Sequence, residues 1–265
     1  MKIRKLLFPF LWCLVLAGIG VTLGFVSRDQ NGELCKGINT VVRGVPAVAG
    51  IFVEKEDVDS IIIRKFGILK GKSMRQISVE NIELILRNNP LIAEANVYVT
   101  IDGFVNVDVK QRTPSVRVMN MEGESFYIDE TGAFMPLSDK GSARLLVVNG
   151  YVYDNYRQRT AKILDVEDTV KSGKYMMDTI FTLAKYISSE PFLNAEIQQI
   201  YINEEREIEL VPYVGKHIIV LGDISDMKEK FKRLQVFYQK GLSKAGWNVY
   251  NTINLKYKNQ VVCSK

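Results

Sequence analysis

Apolar residues recur at every second position in two stretches near the middle of the chain. Over residues 95–101, Val97, Val99 and Ile101 share one side; over 104–111, Val105, Val107 and Val109 do. That period predicts two strands, and Asp102-Gly103 between them predicts a tight hairpin. Upstream the period lengthens. In residues 54–66, Val58, Ile61, Ile62 and Phe66 form one helical face, with Glu54, Glu56 and Asp57 at the start and Arg64 and Lys65 at the end. The helix dipole favours that charge order, and Gly67 supplies a C-cap. A second helix starts after Ser78, with Ile77 and Ile82 spaced as a hydrophobic staple, and stops at Asn88-Asn89-Pro90. A looser alternation over 38–43 adds a strand before both helices, and residues 44–50 read as a small-residue loop. Strand, helix, helix, strand, strand predicts a compact module of about 75 residues.

After Arg112-Thr113-Pro114 the elements shorten. Strands are expected over 116–119, 125–128, 133–135 and 145–148, with turns at Glu122-Gly123 and Thr131-Gly132. Residues 151–163 are polar and tyrosine-rich, and carry no clear period. A helix follows over 175–187, ended by Glu190-Pro191. Strands come next over 197–202, 207–212 and 217–221, then an amphipathic helix over 226–242. Alternation over 252–257 and 260–263 closes the chain. The expected architecture is a mostly antiparallel sheet with helices packed against it, so the fold class is α+β.

Residues 6–26 follow neither period. They contain no charged residue, and as a helix they measure about 31 Å, enough to cross a bilayer. Lys2, Arg4 and Lys5 precede them without an acidic residue, which predicts a cytoplasmic N-terminus and export of everything that follows. A cleaved signal peptide is the rival reading. It calls for small residues before the cut, and residues 24–28 show no such pattern. The chain is expected to divide into a tail (1–5), a transmembrane helix (6–26), a linker (27–34), a first domain (35–113) and a second (114–265).

Charge narrows the function. The net charge of +5 shrinks once the three basic tail residues are set aside, leaving 32 basic against 30 acidic residues. A nucleic-acid surface needs a basic excess. Candidate chemistry is thin. Gly71-Lys72-Ser73 imitates the end of a phosphate loop, but the glycine required five residues earlier is Phe66. His217 is the only histidine, and no serine stands in a nucleophile motif. Glu204-Glu205 are adjacent carboxylates on an expected hairpin tip, where neighbours diverge. Two exported thiols, Cys35 and Cys263, make neither a disulfide framework nor, with one histidine, a zinc set. Tyr151, Tyr153 and Tyr156 read as an interaction patch or a local packing cluster, with packing the preferred reading. No catalytic, cofactor-binding or metal-ligating residues are assigned, and no small-molecule substrate is expected.

Four local motifs, in this order, resemble one family. Residues 89–97 (NPLIAEANV) are similar to its "NP-aromatic-V-x-x-A-x-V" entry into a strand. Residues 107–114 (VDVKQRTP) resemble its "I-x-V-x-E-R-x-P" exit, with Gln111 for the glutamate. Residues 127–133 (YIDETGA) resemble its "hydrophobic-Asp-x-x-Gly" turn. Residues 253–257 (INLKY) resemble its terminal "I-D-L-R-Y", with Asn254 for the aspartate. The family is the bacterial division protein FtsQ, also called DivIB. The resemblance implies a POTRA-like first domain and a second domain that binds the bitopic proteins FtsB and FtsL. It also implies a non-enzymatic role at the septum, in the cytoplasmic membrane, controlling the peptidoglycan synthase FtsW with FtsI. A membrane-anchored accessory of envelope assembly or transport, also built on a POTRA-like module, is the alternative.

The terminal segment is the candidate partner site. A strand there can lend unpaired N–H and C=O groups to another chain. Ile253, Leu255 and Tyr257, with Lys258, Gln260, Val261 and Val262, are the expected contact residues. Tyr257 is the preferred anchor. A buried strand whose tyrosine only packs is the competing reading.

Overall fold

A computed structural model describes residues 15–19, 34–44, 50–156 and 176–265. Of the expected membrane segment only 15–19 falls among them, as helix, and the rest of 6–26 lies outside the described residues. Among the described residues no helix is long and apolar enough to cross a membrane. The chain forms two units: one comprises the residues up to Arg43 with Val53–Gln111, and the other Gly44–Phe52 with Arg112–Lys265.

The first unit holds β1 (Gly37–Arg43), α1 (Lys55–Phe66), α2 (Val79–Arg87), β2 (Ile92–Val99) and β3 (Phe104–Gln111). The sheet order is β1-β3-β2, with β1 parallel and β2 antiparallel to β3. Val105, Val107 and Val109 are buried, and Val58, Ile62, Ile82 and Leu86 of the helices are buried as well. At the start of α1, the Glu54 side chain accepts from the backbone of Asp57, whose own side chain takes the Glu54 N–H. The Ser78 hydroxyl accepts from Asn81 N–H to cap α2. The expected two-residue hairpin is corrected. Strand β2 ends at Val99, and Gly103 N–H closes a four-residue turn on Thr100 O, with Gly103 at φ 86°. That is a type I turn followed by a left-handed glycine, so Ile101 leaves the strand for the tip.

The second unit contains β4 (Pro114–Met119), β5 (Ser125–Asp129), β6 (Phe134–Pro136) and β7 (Leu146–Gly150). Then come α3 (Met176–Ser189), α4 (Pro191–Glu196), β8 (Ile197–Ile202), β9 (Ile208–Pro212), β10 (Ile218–Gly222) and α5 (Met227–Phe237). A π-helical turn, Tyr238–Leu242, and α6 (Ser243–Ala245) lead to β11 (Thr252–Asn254) and β12 (Val262–Ser264). One nine-stranded sheet runs β12-β11-β10-β9-β8-β7-β4-β5-β6. Five of its eight pairings are antiparallel; β4–β7, β7–β8 and β10–β11 are parallel. Ile180, Leu183, Ala184 and Ile187 of α3 and Phe231 and Leu234 of α5 pack with the sheet in one core.

Helix α4 was not expected. Pro191 occupies its first turn, where a missing N–H costs nothing. The same proline that stops α3 therefore starts α4. The expected helix over 226–242 also changes character. From Tyr238 the hydrogen bonding widens to a π turn, and a Cβ on Gly241 would meet the Phe237 ring at 2.7 Å.

Candidate partner-binding edge

A partner strand needs an open sheet edge, so the four edges of the two sheets decide where one can dock. The β2 edge is closed. Arg87 Nε donates to Ala95 O at 3.2 Å, Val97 N–H donates to Glu83 Oε2 at 3.2 Å, and Arg87 and Glu83 pair at 2.8 Å. Edge strand β6 has three residues and ends on Pro136, which has no N–H to lend. Strand β1 packs against α1, with Thr40 bonded to Asp59 in that helix. Among the described residues that leaves the outer sides of β1 and β12, and the terminal segment lies on the second.

The terminal alternation is resolved into two strands, and this corrects the single expected strand. Strand β11 is internal, parallel to β10 and antiparallel to β12. Ile253 and Leu255 are buried in the core and cannot touch a partner. The reason is packing: Ile219 and Leu221 of β10 place an apolar layer beside them. Tyr257 is 49% exposed, and with the exposed Lys258 and Gln260 it lies in the connection between the two strands rather than on a strand face. Val261 is half-buried against the core, and Val262 is exposed on β12.

The register fixes which backbone groups of β12 point outward. Ile218 N–H donates to Asn251 O, and Leu255 N–H donates to Val220 O, both at 2.9 Å. At the two ends of β11 the Asn251 C=O and the Leu255 N–H therefore turn to β10, while the Asn251 N–H donates to Ser264 O of β12; Ile253 between them turns its backbone to β10. Thr252 and Asn254 face β12, where they pair with Ser264 and Val262. Cys263 stands opposite Ile253, so its N–H and C=O turn to the open side. Its side chain points back onto the core, and burial pushes its thiol pKa up.

Arg233 holds this hairpin in place. Its Nη1 donates to Gln260 O at 2.7 Å and also to Tyr257 O, and its Nη2 donates to Leu255 O at 3.0 Å. Beside it, Val236, Phe237, Lys240, Gln260 and Val261 line a groove of about 510 Å³ between α5 and the β12 hairpin. Val236 is 46% exposed, so the groove offers apolar surface next to the open edge. Lys230, itself buried, donates from Nζ to Leu221 O at 3.1 Å, to Asp223 O at 2.9 Å and to Asp223 Oδ1 at 2.7 Å. It anchors α5 to the end of β10. Neither Arg233 nor Lys230 stood out in the sequence, where both read as the polar face of an amphipathic helix.

Beneath the π turn lies a buried polar row. His217 Nε2 is 2.7 Å from the Tyr238 hydroxyl, the Glu196 carboxylate lies near enough to act on that hydroxyl electrostatically, and Trp247 packs edge-on to the Tyr238 ring. Burial pushes the Tyr238 and Glu196 pKa values up and that of His217 below its ordinary 6.5. A histidine so depressed contributes stability that is present above about pH 6.5 and lost as the pH falls through its folded value. Glu196 has the opposite sign: its contribution is present below about pH 4.5 and is lost as the pH rises. Urea unfolding of the full chain in detergent should therefore show stability falling on acidification below about pH 6.5, by at most about 1.4 kcal/mol per pH unit for one proton. His217→Phe should flatten that slope. An unchanged slope would remove His217 as its source.

The other sequence candidates separate. Lys72 Nζ donates to Phe66 O at 2.6 Å, so the Gly71-Lys72-Ser73 stretch caps α1. Glu204 and Glu205 are both exposed on the turn between β8 and β9. Tyr156 packs on Phe126 with ring centroids 6.1 Å apart, whereas Tyr153 is exposed. Cys35 is buried, and both it and Cys263 are free. No group of acidic, histidine and cysteine side chains fit to hold a metal occurs among the described residues.

Comparison with known families gives two matches. Residues 113–264 match the family described as FtsQ/DivIB, C-terminal related, and residues 33–110 match the POTRA-like domain. No curated protein matches the chain.

Proposed function

The chain belongs to the FtsQ/DivIB family, and from that premise we propose that it is a non-enzymatic, single-pass scaffold of the bacterial division complex. Residues 6–26 anchor it in the cytoplasmic membrane, and residues 35–113 and 114–265 act outside the cytoplasm at the septum. The first of these domains serves recruitment. The second binds FtsB- and FtsL-type bitopic partners and links them to an FtsW/FtsI-type synthase.

The observation that carries this reading is the open β12 edge beside the apolar groove. A partner segment adding to Val262–Ser264 would gain main-chain bonds from Cys263, and its alternate side chains would reach Val236, Phe237 and Val261. Ile253 and Leu255 support that edge from within, and Tyr257, Lys258 and Gln260 flank it.

Depletion tests the reading. Cells losing the protein should elongate without dividing, and the tagged full chain should sit at mid-cell and retain two small bitopic proteins. Loss of outer-membrane proteins without filamentation would overturn it in favour of an envelope-assembly accessory. Deleting residues 252–265 is a poor probe, because it removes Ile253 and Leu255 from the core.

A further inference from the structure

Three segments of the first unit meet at one end. Cys35 N–H donates to Lys72 O, and Gly71 N–H donates to Cys35 O; Leu34 and Ser73 form a bridge. On the other side, Lys36 N–H donates to Gly103 O, and Lys36 Nζ donates to Asp102 O. The chain entry, the loop after α1 and the β2–β3 turn therefore share one surface. Each presents a large apolar side chain there: Leu34 at 58%, Ile68 at 70% and Ile101 at 92% exposure. An isoleucine so bare on a turn contributes nothing to the fold. Among the described residues of these segments the charged side chains are Lys36, Lys70, Lys72 and Arg75, with Asp102.

The chain itself says what this surface faces. Leu34 follows Val26, the last residue of the apolar segment, by eight positions. Eight residues reach at most about 29 Å when fully extended, so this end of the unit stays close to whatever holds residues 6–26. Exposed apolar side chains on segments that also carry lysines suit the boundary of an anionic bilayer, where isoleucine enters the interface and lysine bonds phosphate.

We propose that this end of the first unit is a membrane-contact surface: Leu34, Ile68 and Ile101 dip into the outer leaflet, and Lys36 and Lys70 meet anionic phospholipid headgroups. The contact would set the height and tilt of the unit over the bilayer. It rests on the membrane anchoring proposed above, and it adds a second, reversible attachment.

The full chain carrying Ile101→Trp, reconstituted into phosphatidylcholine–phosphatidylglycerol vesicles with brominated acyl chains, tests it. The unsubstituted chain supplies the background from Trp12 and Trp247. Emission added by position 101 should be roughly halved by brominated lipid, as for a side chain at the headgroup–acyl boundary. The loss should shrink when phosphatidylglycerol is omitted or when Lys70→Glu is added. A chain that floats with the vesicles but shows no quenching at position 101 overturns the contact and leaves the anchor standing. A chain that does not float overturns both.

Discussion

Asp129→Ala should destabilise the second unit by about 3–5 kcal/mol, because one carboxylate serves four donors in a buried turn. Asp129 is 2% exposed. Its Oδ1 accepts from Thr131 N–H at 2.8 Å, the Thr131 hydroxyl at 2.7 Å and Ala133 N–H at 2.7 Å, and its Oδ2 takes Arg112 Nη1 at 2.7 Å. Truncation leaves the Ala133 N–H buried without an acceptor and strands a guanidinium that is mostly out of water. Asp129→Asn keeps an oxygen for the turn and loses only the charge, so it should cost about half as much. Emission from Trp247, which lies in this unit, reads the transition, and the alanine variant should unfold roughly 10 °C below the wild type. A shift under about 1 kcal/mol would mean that the turn is held by Gly132, at φ 80°, and not by the carboxylate.

Asp129 shows what a sequence discloses. Its turn was visible as YIDETGA, since glycine three residues after an aspartate is a local signal that survives into the fold. The two helices and the central hairpin of the first unit were equally legible, because burial of Val105, Val107 and Val109 writes a period of two directly onto the chain. Helix α4 was not, because a proline that ends one helix also suits the first turn of the next. Ile101 was misplaced for a related reason: alternation continues one residue past the point where Gly103 turns the backbone. The candidate site was hardest to read. That Ile253 and Leu255 are core and Cys263 faces out depends on which neighbour each strand acquires, and β10 lies more than 30 residues upstream. Arg233 reaches three carbonyls of the hairpin only once α5 lies across it. Neither is a local property.

The edge assignment leads to the second large effect. Cys263→Pro should weaken capture of the bitopic partners by about 10- to 100-fold and change the stability of the second unit by less than about 1 kcal/mol. Proline removes one N–H, and at position 263 that N–H is the one β12 holds out to a new strand. The bonds to β11 belong to Val262 and Ser264 and persist. The ring also stands where an incoming backbone would lie about 4.8 Å away, so the loss exceeds one hydrogen bond. Proline asks the preceding residue to be extended, which Val262 already is within the strand. Cys263→Ser is the matched control. It changes the side chain, keeps the N–H, and should bind as the wild type does. If the proline variant captured partners normally, the partner would be reading side chains on the groove rather than the edge, and Val236→Asp would then be the substitution that releases it. If serine weakened capture as much as proline, the thiol packed on the core would be what positions β12. The two substitutions together separate recognition through main-chain donors from recognition through side-chain surface.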